Sequence, residues 1–423
     1  MPDLQETDKF SLRCVWCSYS LEPNPGVRSC PRCAGSLEVV YDYEQVRSLN
    51  ARGIPTISKR LEGIWRYLPL LPVEGGSGLV TLGEGSTPYR RLERIGPELG
   101  VDLFVKDESR NPTCSFKDRK SAAAITKAVG QGFARVIAAT AGNAGASVAA
   151  YAARAGLESY ILAFQGISET KLAKLLAFNA NVLLTSGSTG DVLEFSEKAC
   201  KRFGMQNCSA ASRYNPYVKE GAKTAVFEIF EQSGGTLPDW IILPLGGGGN
   251  ISAYYKGLKE LKELGLISSY PKLVGVQATG CQPVVDAFEK KIDPRNIPKV
   301  QNPKTIAHSI LDDWAPDGDI ALVSIEETRG LALGVSDEEI VSAMKSLSGT
   351  EAIYAEPSSA TTLAALKKLV GDKRIDRSES VALIITGFGL NQPDATIANY
   401  EAPRKISLDL DEFGRALNRE RTR

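Results

Sequence analysis

The sequence contains one histidine, His308, in 423 residues. That excludes chemistry built on several imidazoles, such as a histidine-rich metal centre. It has no charge excess: 50 lysines and arginines balance 50 aspartates and glutamates. Polyanion binders normally carry a basic excess or a long basic patch, so no nucleic-acid partner is expected. No apolar run approaches the ~18–20 residues that cross a bilayer, so no membrane association is expected. The opening segment MPDLQETDKF has acidic residues and no apolar stretch, which predicts neither a signal nor a transit peptide and a cytoplasmic location. No repeat of fixed period and no low-complexity tract interrupts the chain. What is present is ordinary for a soluble globular protein: 43% hydrophobic and 24% charged residues, enough to build a core and to exclude dominant disorder. The length suggests two or three domains.

The eight cysteines are unevenly placed. Cys14-x2-Cys17 and Cys30-x2-Cys33 are separated by twelve residues. Two such knuckles can wrap one tetrahedral Zn2+ through four thiolates, and Gly26 and Pro31 suit the tight turns. Two disulfides are the other reading; without a secretory signal, metal is favoured. A closed four-thiolate site would be structural, since no coordination position is left for a substrate. Cys114, Cys200, Cys208 and Cys281 are scattered and read mostly as buried apolar residues.

Downstream, a lead-in GIWRYLPLLPV (63–73) reads as extended or short helical, and EGGSG (74–78) as a loop. From about residue 100, short apolar runs alternate with segments of helical period. The runs 102–106, 134–139, 159–164, 181–186, 239–245, 272–278 and 381–387 are predicted as buried strands. Segments 146–156, 218–234 and 335–349 are predicted helices. This alternation predicts an α/β fold with parallel sheets flanked by helices. The C-terminal RALNRERTR is basic and reads as a solvated or frayed end.

In open parallel sheets, ligands bind at the carboxyl ends of strands. Three loops of this chain fall there. LPLGGGGNIS (243–252) puts four glycines between an apolar strand and a helix, which is a phosphate cradle of inward N–H groups with a helix N-terminus behind it. A flexible turn is the weaker reading. ATAGNAGAS (139–147) lets a flat or carboxylate-bearing ligand approach the backbone, with Asn143 offering donor and acceptor; an ordinary turn is equally compatible. In KDESRNPTCSFKDRKS (106–121), Lys117 follows a proline-containing turn. A buried lysine with lowered pKa can form a Schiff base with an aldehyde, but taken alone an exposed helix-start lysine is the commoner case.

Taken together, these residues resemble a known family. NPTCSFKDR resembles the lysine motif of the fold-type II (tryptophan synthase beta-like) pyridoxal-phosphate enzymes, threonine synthases in particular. LGEGSTP (82–88), the asparagine loop and GGGGN (246–250) occur in that family's order. The segments 63–73, YNPYVKEGAKTAVFEI (214–229), EPSSAT (356–361) and ITGFGLNQPD (385–394) are also similar, as is the cysteine ribbon with SLEVVYDY (36–43). The resemblance covers nearly the whole chain. It implies a zinc-ribbon-like segment at 10–45 ahead of a catalytic region at 50–420. That region comprises two open twisted parallel-sheet domains, the smaller inserted at about 130–215.

It further implies pyridoxal 5'-phosphate as cofactor, a structural Zn2+, a small amino-acid substrate and a homodimer. Lys117 would hold the cofactor covalently and move protons. Asn143 would bond its phenolic oxygen. Backbone N–H groups of Gly246, Gly247, Gly248, Gly249 and Asn250 would hold its phosphate, and Thr386 would contact the pyridine nitrogen. Ser115, Thr140 and Arg119 are the candidate substrate contacts, Arg119 being preferred to Arg110 because arginine pairs bidentately with phosphate. Lys120 is expected to face solvent. His308 reads more readily as a packed or surface residue than as a pocket acid, base or phosphate ligand.

The chain departs from the family pattern at Ala141 and Ala144, where hydroxyls are usual, at AHSILDD (307–313), at Phe388 and at Cys114. Each lost hydroxyl donor is worth about 1 kcal/mol. The expected activity is conversion of O-phospho-L-homoserine and water to L-threonine and phosphate. A serine/threonine dehydratase or a β-replacing synthase on the same scaffold is the alternative.

Overall fold

The structure is a computed structural model. It describes residues 10–24, 27–50, 53–55, 61–73, 78–140, 142–165 and 167–419. Gly26, Ala141, most of the 74–78 loop and the last four residues of the basic tail lie outside the described residues.

The N-terminal segment is a three-stranded antiparallel sheet of order β2-β1-β3, made of β1 (Phe10–Cys14), β2 (Ser20–Leu21) and β3 (Leu37–Tyr41). Its alternation places Leu12, Leu37 and Val39 on one fully buried face. That face joins a core with Tyr217, Ala225 and Tyr254, so the ribbon is packed onto the α/β body. The lead-in forms a 3-10 helix, Gly63–Leu70.

Two further sheets follow. The larger begins with β4 (Tyr89–Arg91) and β5 (Asp102–Asp107). The chain then leaves it to build the smaller sheet from β6 (Arg135–Ala139), β7 (Glu158–Phe164), β8 (Asn181–Thr185) and β9 (Gln206–Asn207). It returns with β10 (Trp240–Pro244), β11 (Lys272–Ala278), β12 (Leu331–Val335) and β13 (Ser380–Ile385). The strand orders are β12-β11-β10-β13-β5-β4 and β8-β7-β6-β9. All pairings are parallel except that of edge strand β4 with β5. Every residue of β10 is buried, as helices covering both faces of a parallel sheet require.

Helix ends follow local chemistry. Ser188 and Ser336 close capping boxes with Asp191 and Glu339. Gly156 and Gly204 end helices in the left-handed conformation.

Two expectations need correction. The run 181–186 is not a buried strand: β8 is a sheet edge, and Leu183 and Leu184 are exposed. The predicted helix at 335–349 runs Asp337–Glu351, and the LALGV before it is the unanticipated strand β12. Its brevity and the glycine at position 334 hid the apolar run. The C-terminal segment forms a helix, Leu410–Arg419, that is largely exposed through residue 417.

Candidate active site

The carboxyl ends of β6, β7, β10 and β13 converge on one cavity of about 730 Å³ between the two parallel sheets. Its walls include Lys117, Thr140, Asn143, Gly246 to Asn250 and Thr386. Residues from four separate stretches of sequence therefore meet at one place.

Lys117 is the first residue of the helix Lys117–Gly130, which follows the turn after β5. Its ammonium lies 4.6 Å from the centroid of the Phe116 ring. Burial pushes its pKa below the ordinary lysine range, while Asp312, Glu356 and Asp317 pull the other way. The adjoining turn is held from both sides: Phe116 N–H donates to Thr386 O at 3.0 Å, and Phe388 N–H to Cys114 O at 3.1 Å. Cys114 adopts φ +67°, the left-handed region. That is why a glycine suits this position.

Arg119 corrects an expectation. It is fully buried and does not line the cavity. Its guanidinium clasps Glu108 at 2.6 and 2.8 Å and Glu228 at 2.7 Å through two nitrogens. Lys106 reaches Glu228 at 2.7 Å, so the cluster ties β5 to the helices that begin at Lys117 and Val218. Ser115 is likewise buried away from the cavity, and its hydroxyl has no partner among the described residues. Lys120 reverses its expectation too. It is only 3% exposed and lines the cavity, because the first turn of its helix points inward. Cys114 and Phe388 lie outside the cavity wall. Phe388 packs edge-on against Tyr354, with ring centroids 5.3 Å apart.

The asparagine loop leads into the helix Asn143–Ala155. Asn143 Nδ2 donates to Glu356 Oε2 at 3.0 Å and lies 3.4 Å from Ser309 Oγ. Glu356 is 2% exposed, and burial raises its pKa. Lys171 from the next helix reaches the same loop: a Cβ built on Gly142 would stand 3.5 Å from its Nζ. His308 lies on the rim, its pKa lowered by partial burial and then by the charge of Lys171. Among the described residues no arginine lines the cavity.

The glycine loop links β10 to the helix Gly249–Glu263. Its glycines are sterically required. A Cβ at Gly246 would come within 2.6 Å of Asp312 Oδ2, and one at Gly248, where φ is +91°, within 2.4 Å of Asp317 O. Asn250 is 8% exposed, yet neither atom of its amide has a partner among the described residues. A buried amide left open beside a glycine cradle is what a phosphate-bearing ligand would satisfy. Thr386 and Ser359 share a buried hydroxyl hydrogen bond of 2.9 Å. Lys117, Asn143, this cradle and Thr386 thus fit an aldehyde-bearing aromatic phosphate. Glu356, Asp312, Asp317, Lys120 and Lys171 escaped sequence reasoning as site residues; EPSSAT, which contains Glu356, and AHSILDD, which contains Asp312, carried a signal.

Away from the cavity, the Sγ atoms of Cys14, Cys17, Cys30 and Cys33 lie within 4.8 Å of one another. Sulfur pairs stand at 3.4–3.5 Å, too far for a disulfide. Backbone N–H groups of Trp16 and Arg32 point at Cys14 and Cys30 sulfurs, as around thiolates. The cluster could hold a metal ion.

Residues 80–387 match the family model described as pyridoxal-phosphate dependent enzyme. Fold and site together define that class. Solved structures agree on the fold: maize serine racemase has a TM-score of 0.61 at 20% identity, covering 79% of this chain and 92% of that one. Diaminopropionate ammonia lyase from Escherichia coli has a TM-score of 0.65 at 17% identity, covering 76% and 88%. Curated relatives are more specific. The threonine synthase of Methanocaldococcus jannaschii is 39% identical over 407 residues, 96% of this chain and 98% of that one. The threonine synthase of Methanosarcina acetivorans is 36% identical over 410 residues, again 96% and 98%. The chain belongs to the threonine synthase family of pyridoxal-phosphate-dependent enzymes.

Proposed function

We propose that the chain is a threonine synthase, a lyase that converts O-phospho-L-homoserine and water to L-threonine and phosphate. The observation that carries this reading is chain-long identity to threonine synthases, joined to a cavity that has Lys117 at one wall and a glycine cradle at another. In this reading Lys117 binds the cofactor, Asn143 its phenolic oxygen, Gly246 to Asn250 its phosphate and Thr386 its ring nitrogen. Pyridoxal phosphate, when bound, supplies an electron sink next to the substrate's α-carbon.

The protein's own residues do the rest. Lys117, freed from the cofactor, takes and returns protons at the α- and β-carbons, for which a lysine pKa lowered by burial is suited. The hydroxyl of Thr386, itself bonded to Ser359, favours an unprotonated ring nitrogen where a carboxylate would protonate it. Lys171, Thr140 and the backbone beside Asn143 give the substrate's anionic groups a positive lining. They stand in for the family's hydroxyls missing at Ala144 and Ala141. We also propose that the four cysteines hold a structural Zn2+, that the protein works as a homodimer and that it resides in the cytoplasm.

The test incubates purified protein and pyridoxal phosphate with O-phospho-L-homoserine and quantifies threonine and phosphate together. Equal release of both, abolished in Lys117→Ala, is expected. Absence of both products, with serine, threonine or O-phosphoserine shifting the cofactor's absorbance instead, would reject this substrate and keep the cofactor.

A further inference from the structure

We propose that Lys120 is the counter-charge of the cofactor's phosphate, so that this chain grips the phosphate with a lysine side chain as well as with backbone N–H groups. The proposal rests on the cofactor reading above and extends it to a residue with no role in that reading.

Four observations meet at this side chain. First, Lys120 lies one turn beyond Lys117 on the same helix, and residues spaced by three share a helix face. The cofactor carries its aldehyde and its phosphate arm on adjacent ring positions, so two lysines on one face match its two reactive ends. Second, the Lys120 ammonium sits against the glycine cradle: a Cβ built on Gly249 would stand 2.8 Å from its Nζ. Gly249 opens a 15-residue helix, whose N-terminus adds positive potential at the same spot.

Third, the ammonium is buried without an ion pair. Among the described residues no carboxylate pairs with its Nζ, and its one hydrogen bond goes to Ala210 O at 3.2 Å. An ammonium has three donors, so two point at no protein acceptor. The acid whose charge reaches it is Asp317, and that carboxylate's oxygens already accept N–H groups of Ser212 and Arg213 at 2.9 and 3.1 Å. Fourth, the Asn250 amide beside it is also open. A buried, unpaired ammonium is costly. Here the cost is removed when a dianion arrives, and a phosphate is the dianion this cradle fits. The other lysine that lines this end, Lys117, is committed to the aldehyde.

The experiment compares wild type with Lys120→Met, which keeps an unbranched chain and removes the charge. Dissociation constants are measured for pyridoxal phosphate and for pyridoxal, which has the aldehyde and no phosphate, by fluorescence quenching of the apoprotein. The melting temperature of each apoprotein is measured alongside. The expected result is at least tenfold weaker binding of pyridoxal phosphate by the variant, with pyridoxal binding within twofold of wild type. The apo variant should melt no lower than wild type, because it has lost an unpaired charge. The 31P resonance of the bound cofactor should also move. Equal loss of both ligands, or pyridoxal phosphate binding within twofold of wild type, would overturn the role of Lys120. A wild type that binds neither ligand would instead sink the cofactor reading itself, and the proposal with it.

Discussion

Trp16 Nε1 donates to Asp319 Oδ2 at 2.9 Å, across 303 residues of sequence. Trp16 lies between two of the clustered cysteines, and its own N–H points at Cys14 Sγ. Asp319 stands in the first turn of the helix Gly318–Glu327, one residue beyond the segment that packs on the glycine cradle. The cysteine knuckle is thereby tied to the floor of the cavity.

This link makes the ribbon a support for the site. Trp16→Phe keeps the ring and removes the donor, and it should cost about 1–2 kcal/mol, read from denaturant unfolding. Removal of the proposed Zn2+ by a chelator should lower the melting temperature by several degrees, because metal binding is coupled to folding. An unchanged melting curve after complete metal loss would show that the knuckle stands on its packing alone.

Arg119 should prove a positioning residue. Arg119→Leu leaves Glu108 and Glu228 buried beside each other with Lys106 as their remaining cation. Breaking such a buried cluster costs roughly 3–5 kcal/mol. Arg119→Lys should rescue little, since an ammonium cannot reproduce the two-sided fork. If Arg119 touched substrate instead, the lysine variant would keep stability and lose only affinity for the phosphorylated substrate. Urea titration beside a KM-against-kcat comparison separates the two.

Asp118 offers a pH test. Burial lifts its carboxyl from 3.8 to about 6, although Ser147 and Thr113 bond it. A folded-state pKa above the unfolded one means that the contribution to stability is fully present below about pH 4 and is lost as pH rises through about 6. Asp118→Asn should flatten the pH dependence of stability across that window. Glu38 has the opposite sign: its pKa is lowered in the folded state by Lys259, Lys256 and Lys219 acting against its burial. Its contribution is present above pH 4.5 and falls away under acid. Melting curves of Asp118→Asn and Glu38→Gln from about pH 3 to 8 should diverge in these two directions.

Cys114 sits in the left-handed region, where a side chain costs on the order of 1 kcal/mol. Cys114→Gly should therefore leave stability equal or raise it by up to ~1 kcal/mol, with the lysine turn and turnover preserved. A loss above about 1 kcal/mol would mean that the thiol packs in a way the backbone strain conceals.

Much of this protein was legible before folding. The seven apolar runs all became strands, because a run bounded by turn residues has few other places to bury itself. The lysine motif, the asparagine loop and the four glycines were legible because each joins a strand end to a helix start, a local pattern. The exposure of β8 was not legible, since an edge strand and a central one differ only in their neighbours. Arg119 misled because it lies two residues from Lys117, and a helix turns such neighbours to different faces. Ser115 misled because it precedes that helix and is drawn into a bridge with Gly387.

The sequence by itself determined the parallel α/β plan, the family and the motifs that meet at the cavity, because these depend on local periodicity and on motifs contiguous in the chain. Only the tertiary structure decided which charges face the cavity and which serve the frame. Arg119 and Lys120 are neighbours of like charge, and nothing in their sequence context separates them. Packing sends one guanidinium into a cage of two glutamates and leaves one ammonium without a carboxylate at the wall of a cavity. The burial and pairing of a charge are properties of what surrounds it, and those surroundings come from residues far away in the chain.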